Sequence, residues 1–377
     1  MKSFKHLRRF IQKKVKILNY YLFTLLHGVI SKTVKISALK DANITKCIID
    51  NLNYNIYSIR KVRLYTNRVH DMSVIKDNVL VEGPSYQLRN LNLKKTNAMD
   101  NAAIVENDAL KYGTPRIKKN INGTVLSMLS GGAANLNYFH WLYDVLPRLG
   151  LCEKVNILNK IDFFLFPNLD LQFQKETLEL LNLNSKKCLN SKKFRHIHCE
   201  NLFVTDHPFV IDNADVDIHN IPLWIIKWLK VKFGKFSKKN AGLPKKIFID
   251  RSDMNKDYSK YSREIINENE IKEFLDSKGF SFIQLSQLSF EDQINIFYNS
   301  DIIVGLHGSG FANLPFCSPK TNILEIRSNS AGNVIQNIAK KSNLNYEVLI
   351  YKPQGFDPQN QQGKILVDIN DLKKNIN

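Results

Sequence analysis

The sequence has no C-x-x-C pair, and its five cysteines (Cys47, Cys152, Cys188, Cys199, Cys317) are odd in number. Neither a zinc ribbon nor a disulfide framework is therefore expected, and a reducing compartment fits better. No run of about 20 apolar residues, the length a spanning helix needs, occurs at the amino terminus. The apolar stretch 17–30 is only fourteen residues long and is broken by Asn19 and His27. No small-x-small cleavage site follows it, which argues against a secretory signal. There is no internal repeat. Acidic residues are absent from two segments, 1–40 and 227–246.

What is present bounds the class. The 377 residues suggest two to three domains at about 100–200 residues each. With 44% hydrophobic and 10% aromatic content, wholesale disorder is excluded. The net charge is +19, from 54 basic against 35 acidic residues. Ten of the basic residues lie in 1–40 and eight in 227–246, so the other 36 nearly cancel the 35 acids. A general nucleic-acid binder would spread basic and aromatic residues over one folded face. This pattern speaks instead for local attraction to an anionic surface, and no specific nucleic acid is expected.

A basic segment running into a short apolar patch has the character of an interfacial anchor on anionic lipid. The alternatives are an ordinary packed first helix or a spanning signal-anchor.

Residues 41–125 carry weak signals, with 78–82 one of several expected strands. Beyond 124 the pattern sharpens. Strands are expected at 125–129, 162–166 and 201–205, a turn at Gly131-Gly132, and helices at 137–149 and 174–183. After Pro222 the lysine-rich stretch up to Pro244 reads as a connection between domains. Then come strands at 246–249, 280–285, 301–305, 323–326 and 346–350, with helices at 267–278, 289–298 and 333–341. Strands alternating with helices of this length mean βαβ units and parallel sheets. The expected fold is α/β, with two Rossmann-like doubly wound domains facing across a cleft and ligands at the carboxyl ends of the strands. The expected divisions are a basic amphipathic segment 1–40, an N-terminal Rossmann-like domain 41–222, a basic connection 223–245, a C-terminal Rossmann-like domain 246–352 and a C-terminal tail 353–377.

Three constellations could carry chemistry. In DIIVGLHGSGFAN, residues 301–313, an apolar strand enters a glycine-rich turn and then a helix. Backbone N–H groups at Gly308 and Gly310 can approach a phosphate closely there, with His307 and Ser309 as further donors. Asn313 lies one turn on, and Glu325 ends the next strand, where a carboxylate could accept ribose hydroxyls. In NYFHWLYDVLPR, residues 137–148, His140 and Asp144 share a helix face. They are either a surface pair or a general base (Asp144) with a substrate ligand (His140). Asn137 suits an N-cap, and Pro147 should kink or end the helix. Third, Arg251 and Arg263 at a sheet edge could clamp a diphosphate. Asn267 and Glu268 follow, Asn267 forming a capping-box pattern with Glu270. Asp215-Val216-Asp217 has the form of a metal-binding triplet but lacks a matching strand end. His196, His198 and Cys199 lack a second pair of zinc ligands.

The ordered set of N-x-x-H-W-x-x-D-x-L-P-R-L (residues 137–149), the Arg251, Arg263, Asn267 and Glu268 pattern, H-G-x-G-x-x-N (307–313) and the I-L-E-I strand resembles glycosyltransferase family 61, also called DUF563. The resemblance spans roughly residues 120–330. It implies a GT-B fold and inverting, metal-independent transfer from a nucleotide sugar, with no cofactor. Many bacterial members serve capsule or surface-polysaccharide synthesis. Carried onto these positions, His307, Gly308, Ser309 and Gly310 would hold the diphosphate. Arg251 and Arg263 would stabilise the leaving group and Glu325 the ribose. Asp144 would be the base and His140 a positioning group. The expected substrates are a UDP-sugar and a glycan or lipid-linked oligosaccharide acceptor. The expected location is cytoplasmic, peripheral to the inner membrane through residues 1–40. A non-catalytic nucleotide-binding scaffold is the alternative.

Overall fold

The computed structural model describes residues 2–67, 71–87, 107–129, 136–183, 185–209, 218–252, 263–354 and 363–376. The Gly131-Gly132 turn and the Asp215–Asp217 triplet lie outside them. The chain divides into two compact units, Met1–Asp217 and Ile218–Asn377.

The first unit opens with one long helix, Lys2–His27, and is otherwise organised by a ten-stranded sheet. Its strands are β1 (Thr33–Lys35), β2 (Ala42–Ile49), β3 (Leu52–Tyr65), β4 (Asp71–Lys76), β5 (Val79–Glu82), β6 (Tyr86–Gln87), β7 (Lys119–Ser127), β8 (Phe163–Phe166), β9 (Cys188–Asn190) and β10 (His196–Thr205). One flank is parallel throughout, running β10, β7, β8, β9, and at the far edge the short β1 pairs parallel with β5. On the other flank β10 pairs antiparallel with the long β3, and β2, β4 and β5 continue antiparallel. The expected doubly wound arrangement therefore holds for part of this unit only.

Local chemistry explains the difference. Asp50-Asn51 joins β2 to β3, Asp77-Asn78 joins β4 to β5, and all four residues have positive φ. Two-residue loops of that kind suit the twist of paired antiparallel strands and leave no length for a crossover helix. The inward residues of the meander and the parallel flank, among them Ile59, Val62, Leu64, Val125, Leu165 and Leu202, form one core.

The second unit carries a five-stranded, fully parallel sheet: β11 (Lys246–Ile249), β13 (Ser281–Ile283), β14 (Ile302–Leu306), β15 (Asn322–Ser328) and β16 (Asn345–Tyr351). In space the order is β13-β11-β14-β15-β16. Chain direction across the sheet reverses between β11 and β14, so the topological switch point lies at their carboxyl ends. A short parallel pair, β12 (Arg263–Ile265) with β17 (Gly363–Ile365), stands apart from it.

Two expected divisions are corrected here. The stretch 223–245 is no linker: Leu223–Phe233 is a helix of this unit. It buries Trp224, Ile225, Ile226, Leu229 and Phe233, each worth about 1.5–3 kcal/mol for a large apolar side chain, with Lys227 and Lys230 left on the outside. Phe233 meets Phe290 and Phe316 edge-on at centroid distances of 5.0 and 6.2 Å. Nor is the carboxyl terminus a loose tail. Ile365, Val367, Leu372 and Ile376 belong to the core formed with Phe248, Val304 and Ile326. The helix Phe290–Asn299 starts as its sequence predicts, with Ser289 Oγ accepting from the Asp292 N–H at 3.1 Å. The preceding helix, Glu268–Ser277, is followed by Gly279 at φ +77.

Candidate active-site clusters

Each unit assembles one polar cluster at the carboxyl ends of parallel strands. In the first, the chain leaves β7 and enters helix at Tyr138, where Asn137 Oδ1 accepts from the His140 N–H at 3.2 Å. The next turn, Trp141–Val145, widens to π geometry, with the Leu146 N–H donating to the Trp141 carbonyl at 3.1 Å. Pro147 has no N–H to continue a ladder, and it sits in the first turn of the following helix, Pro147–Lys154. The widened turn closes at Val145 and a new helix starts at Pro147, so the first helix ends where the proline is expected to kink or end it. Turns of this type recur at functional sites.

That turn carries Asp144, whose side chain is 1% exposed. His140 Nδ1 donates to Asp144 Oδ2 at 2.8 Å, and the His140 ring is 20% exposed. On the other side His207 Nε2 lies 3.7 Å from the same oxygen, itself buried. Burial alone would raise the Asp144 carboxyl, but the two imidazoles outweigh it and bring it to about 2. Burial would likewise lower His140, and the Asp144 charge reverses that and raises it. His207 is lowered, by burial first.

The geometry is fixed by groups to which the sequence reading assigned no role. Arg148, fully buried, donates from Nε to the Asp144 carbonyl at 3.1 Å. Its Nη1 reaches the Thr205 carbonyl and hydroxyl, each at 3.1 Å. One arginine thus ties the π turn to the end of β10. The following residues are tied to β3: Asp206 accepts from the Asn55 N–H at 2.6 Å and Tyr57 Oη at 2.9 Å, and Tyr54 Oη donates to the Pro208 carbonyl at 3.0 Å. These bonds place His207 beside Asp144. Among the described residues Asp144 Oδ1 is buried with no hydrogen-bond partner, a state that structural carboxylates avoid.

The second cluster lies at the switch point. Arg251 follows β11, His307 follows β14, and Arg263 opens β12. Both arginines donate from Nη1 to the His307 carbonyl at 2.7 Å. Burial lowers the Arg263 guanidinium, with the Glu325 charge opposing. A Cβ on Gly308 would stand 2.8 Å from Arg251 Nη1, so the backbone here is bare where the guanidinium needs room. A Cβ on Gly310 would meet Leu285 at 2.9 Å, and its absence lets the helix Ser309–Phe316 start close against the sheet. The first N–H groups of that helix have no intrahelical partners and face the exposed Ser309 end.

The Glycosyltransferase 61 family model matches residues 138–324. The chain is a glycosyltransferase. No curated protein matches it significantly. The match begins directly after Asn137, takes in the His140–Asp144 turn, both arginines and the glycine-rich turn, and stops one residue short of Glu325.

Within the glycosyltransferase the sequence-predicted residues separate into two sets. His140 and Asp144 meet in the first unit, and Arg251, Arg263, His307, Gly308, Ser309 and Gly310 meet in the second. The remaining four are engaged otherwise. Glu325 is fully buried, with Oε1 on His307 Nδ1 and Oε2 accepting from Tyr346 Oη. Asn313 is fully buried and donates to Gln293 Oε1 at 2.9 Å. Asn267 donates to the Val367 carbonyl and accepts from its N–H, at 2.9 and 3.1 Å, binding the carboxyl-terminal segment. It makes no cap, and its amide donates to Glu270 Oε2 instead. Glu268 pairs with Lys272 at 3.0 Å. His207, Arg148 and Tyr346 were missed. Thr205-Asp206-His207-Pro208 at a strand end was a legible signal for His207, whereas nothing local marks Tyr346. Among the described residues no group of three His, Cys, Asp or Glu could hold a metal ion.

Proposed function

We propose that the glycosyltransferase takes its sugar from a nucleoside-diphosphate donor, a UDP-sugar, and transfers it with inversion and without a metal ion to a hydroxyl of a lipid-linked or polysaccharide glycan. The observation that carries this reading is the convergence of Arg251 and Arg263 on the His307 carbonyl beside Gly308, at the switch point of a parallel sheet. The departing diphosphate develops negative charge. Two guanidinium groups and a helix N-terminus are a fixed positive environment for it, aimed before the reaction begins. In this reading the second unit serves the donor and the first the acceptor, the division of labour of a GT-B enzyme, in the assembly of capsule or another surface polysaccharide.

For the acceptor we assign the base to His140, with Asp144 as its positioning partner. Asp144 is buried, and its pKa of about 2 makes it a weak acceptor of a hydroxyl proton. His140 is more open, and Asp144 fixes its Nδ1–H tautomer, leaving the Nε2 lone pair for the acceptor. The carboxylate then stabilises the imidazolium as the proton arrives, the logic of a His–Asp pair. In the second unit Glu325 plays the corresponding part for His307, holding the ring that precedes Gly308.

Calorimetric titration of UDP with and without a chelator tests the donor half. Saturable binding that survives the chelator and is lost in Arg263→Ala is expected. Binding that requires added divalent metal, or is unchanged in Arg263→Ala, would overturn it.

A further inference from the structure

The helix Lys2–His27 touches the first unit along one face. Tyr20, Phe23, Thr24 and His27 are partly covered, and His27 Nε2 lies 3.1 Å from the Arg116 carbonyl. The opposite face presents Ile11, Val15, Leu18, Leu22 and Leu25, spaced by alternating steps of four and three residues. All are exposed, Leu25 to 87%. A continuous apolar stripe along a helix normally packs against something. No helix among the described residues is long and apolar enough to cross a membrane.

Where this helix ends, the first unit has a cavity of about 300 Å³. Leu26 and His27 form its helix side, and Lys61, Arg63, Lys118 and His198 line the rest, with Asp77 its one acid. Arg63 is 8% exposed, and its guanidinium donates to Asn78 Oδ1 at 2.6 Å. Among the described residues, no carboxylate pairs with Lys61, Arg63 or Lys118. The surrounding imidazoles register the excess positive charge. His27 and His198 lie below the ordinary range, first through burial and then through Arg63 and Lys118. A buried guanidinium without a counter-charge is costly to maintain, and a bound anion relieves that cost.

We propose that this cavity holds the phosphate of an anionic membrane lipid while the stripe of residues 11–25 lies in the same leaflet surface. Two independent features agree on that source. The apolar stripe runs into Leu26 at the cavity wall, as a headgroup site beneath an interfacial helix requires. The segment 1–40 has ten basic residues and no acid, complementary to an anionic leaflet. The inference is independent of the donor and base assignments.

The test measures flotation of the full chain with phosphatidylcholine vesicles, with and without phosphatidylglycerol. Glycerol 1-phosphate, the free headgroup, is followed in parallel by thermal shift. The wild type is expected to float with the anionic vesicles and to be stabilised by glycerol 1-phosphate. Lys61→Gln/Lys118→Gln should lose about thirtyfold in vesicle partition and lose the stabilisation. The same charge change at Lys227 and Lys230 should have a much smaller effect on partition. Leu18→Gln/Leu22→Gln/Leu25→Gln should lose flotation but keep the stabilisation. Wild-type partition by Lys61→Gln/Lys118→Gln, or an equal loss in the Lys227 and Lys230 control, would overturn the headgroup site. Stabilisation by glycerol 1-phosphate with vesicle binding indifferent to the cavity would assign it to a soluble phosphate. A lipid-free dimer that the leucine variant dissociates would give the stripe to a second copy. Either result overturns the proposal.

Discussion

His140 Nδ1 lies 2.8 Å from Asp144 Oδ2, across a single widened turn of helix, and the two residues differ sharply in access to solvent. The inner carboxylate sets the charge and tautomer of the outer ring. His140→Ala should therefore lower kcat by about 10²–10⁴-fold, the usual worth of a general base, with UDP affinity unchanged. Initial-rate kinetics beside UDP titration would show this, and an equal loss of UDP binding would count against it.

The pH dependence follows from the sign of the shift. His140 must be neutral to accept a proton, and Asp144 raises its pKa. Activity should rise with pH through that raised value. Asp144→Asn removes the charge but keeps the size, so the rising limb should move to lower pH while the plateau rate falls. A limb that stays in place would remove Asp144 from this role. His207→Phe should move the limb the other way, because Asp144 then loses its second imidazole and its charge acts on His140 alone. The pH profiles of kcat for the two variants are the measurement.

Gly308→Ala isolates the placement of the arginines. Its φ of 167° is extended backbone that alanine adopts freely, so little strain is expected. The new Cβ would stand 2.8 Å from Arg251 Nη1 and push the guanidinium off the His307 carbonyl. UDP affinity should fall about tenfold or more with the melting temperature nearly unchanged, consistent with the loss of a charge-assisted hydrogen bond. Calorimetry and thermal melting together check it.

Tyr346→Phe probes the buried carboxylate. Glu325 shares its two oxygens between His307 and Tyr346. Deleting the phenol leaves one carboxylate oxygen without its donor, at a cost of about 1–3 kcal/mol. Denaturant unfolding should show that loss, and UDP affinity should change less than in Arg263→Ala.

The sequence by itself determined most of the element order of the second unit. Its apolar runs are short, Ser289 starts one helix as expected and Gly279 follows another, so the order of elements in 246–351 was legible apart from the short β12. The glycine-rich turn after β14 was legible too, because the close contacts at Gly308 and Gly310 demand residues without a Cβ. Asp50-Asn51 and Asp77-Asn78 also announced hairpins, although the weak strand signals around them concealed it. Tertiary structure decided what depends on distant partners. Arg148 draws the end of β10 to the π turn, and with the bonds of Asp206 and Pro208 to β3 it brings His207 to Asp144 across 63 positions of sequence. That Glu325 is shared between His307 and Tyr346 depends on the packing of β14, β15 and β16. The lysines of 227–246 read as a linker because charge shows on the surface, whereas Trp224 and Phe233 hold their helix from beneath. Periodicity and composition report what each segment prefers. Which carboxylate is sealed and which imidazole stays open depends on burial, and burial is a property of the assembled core.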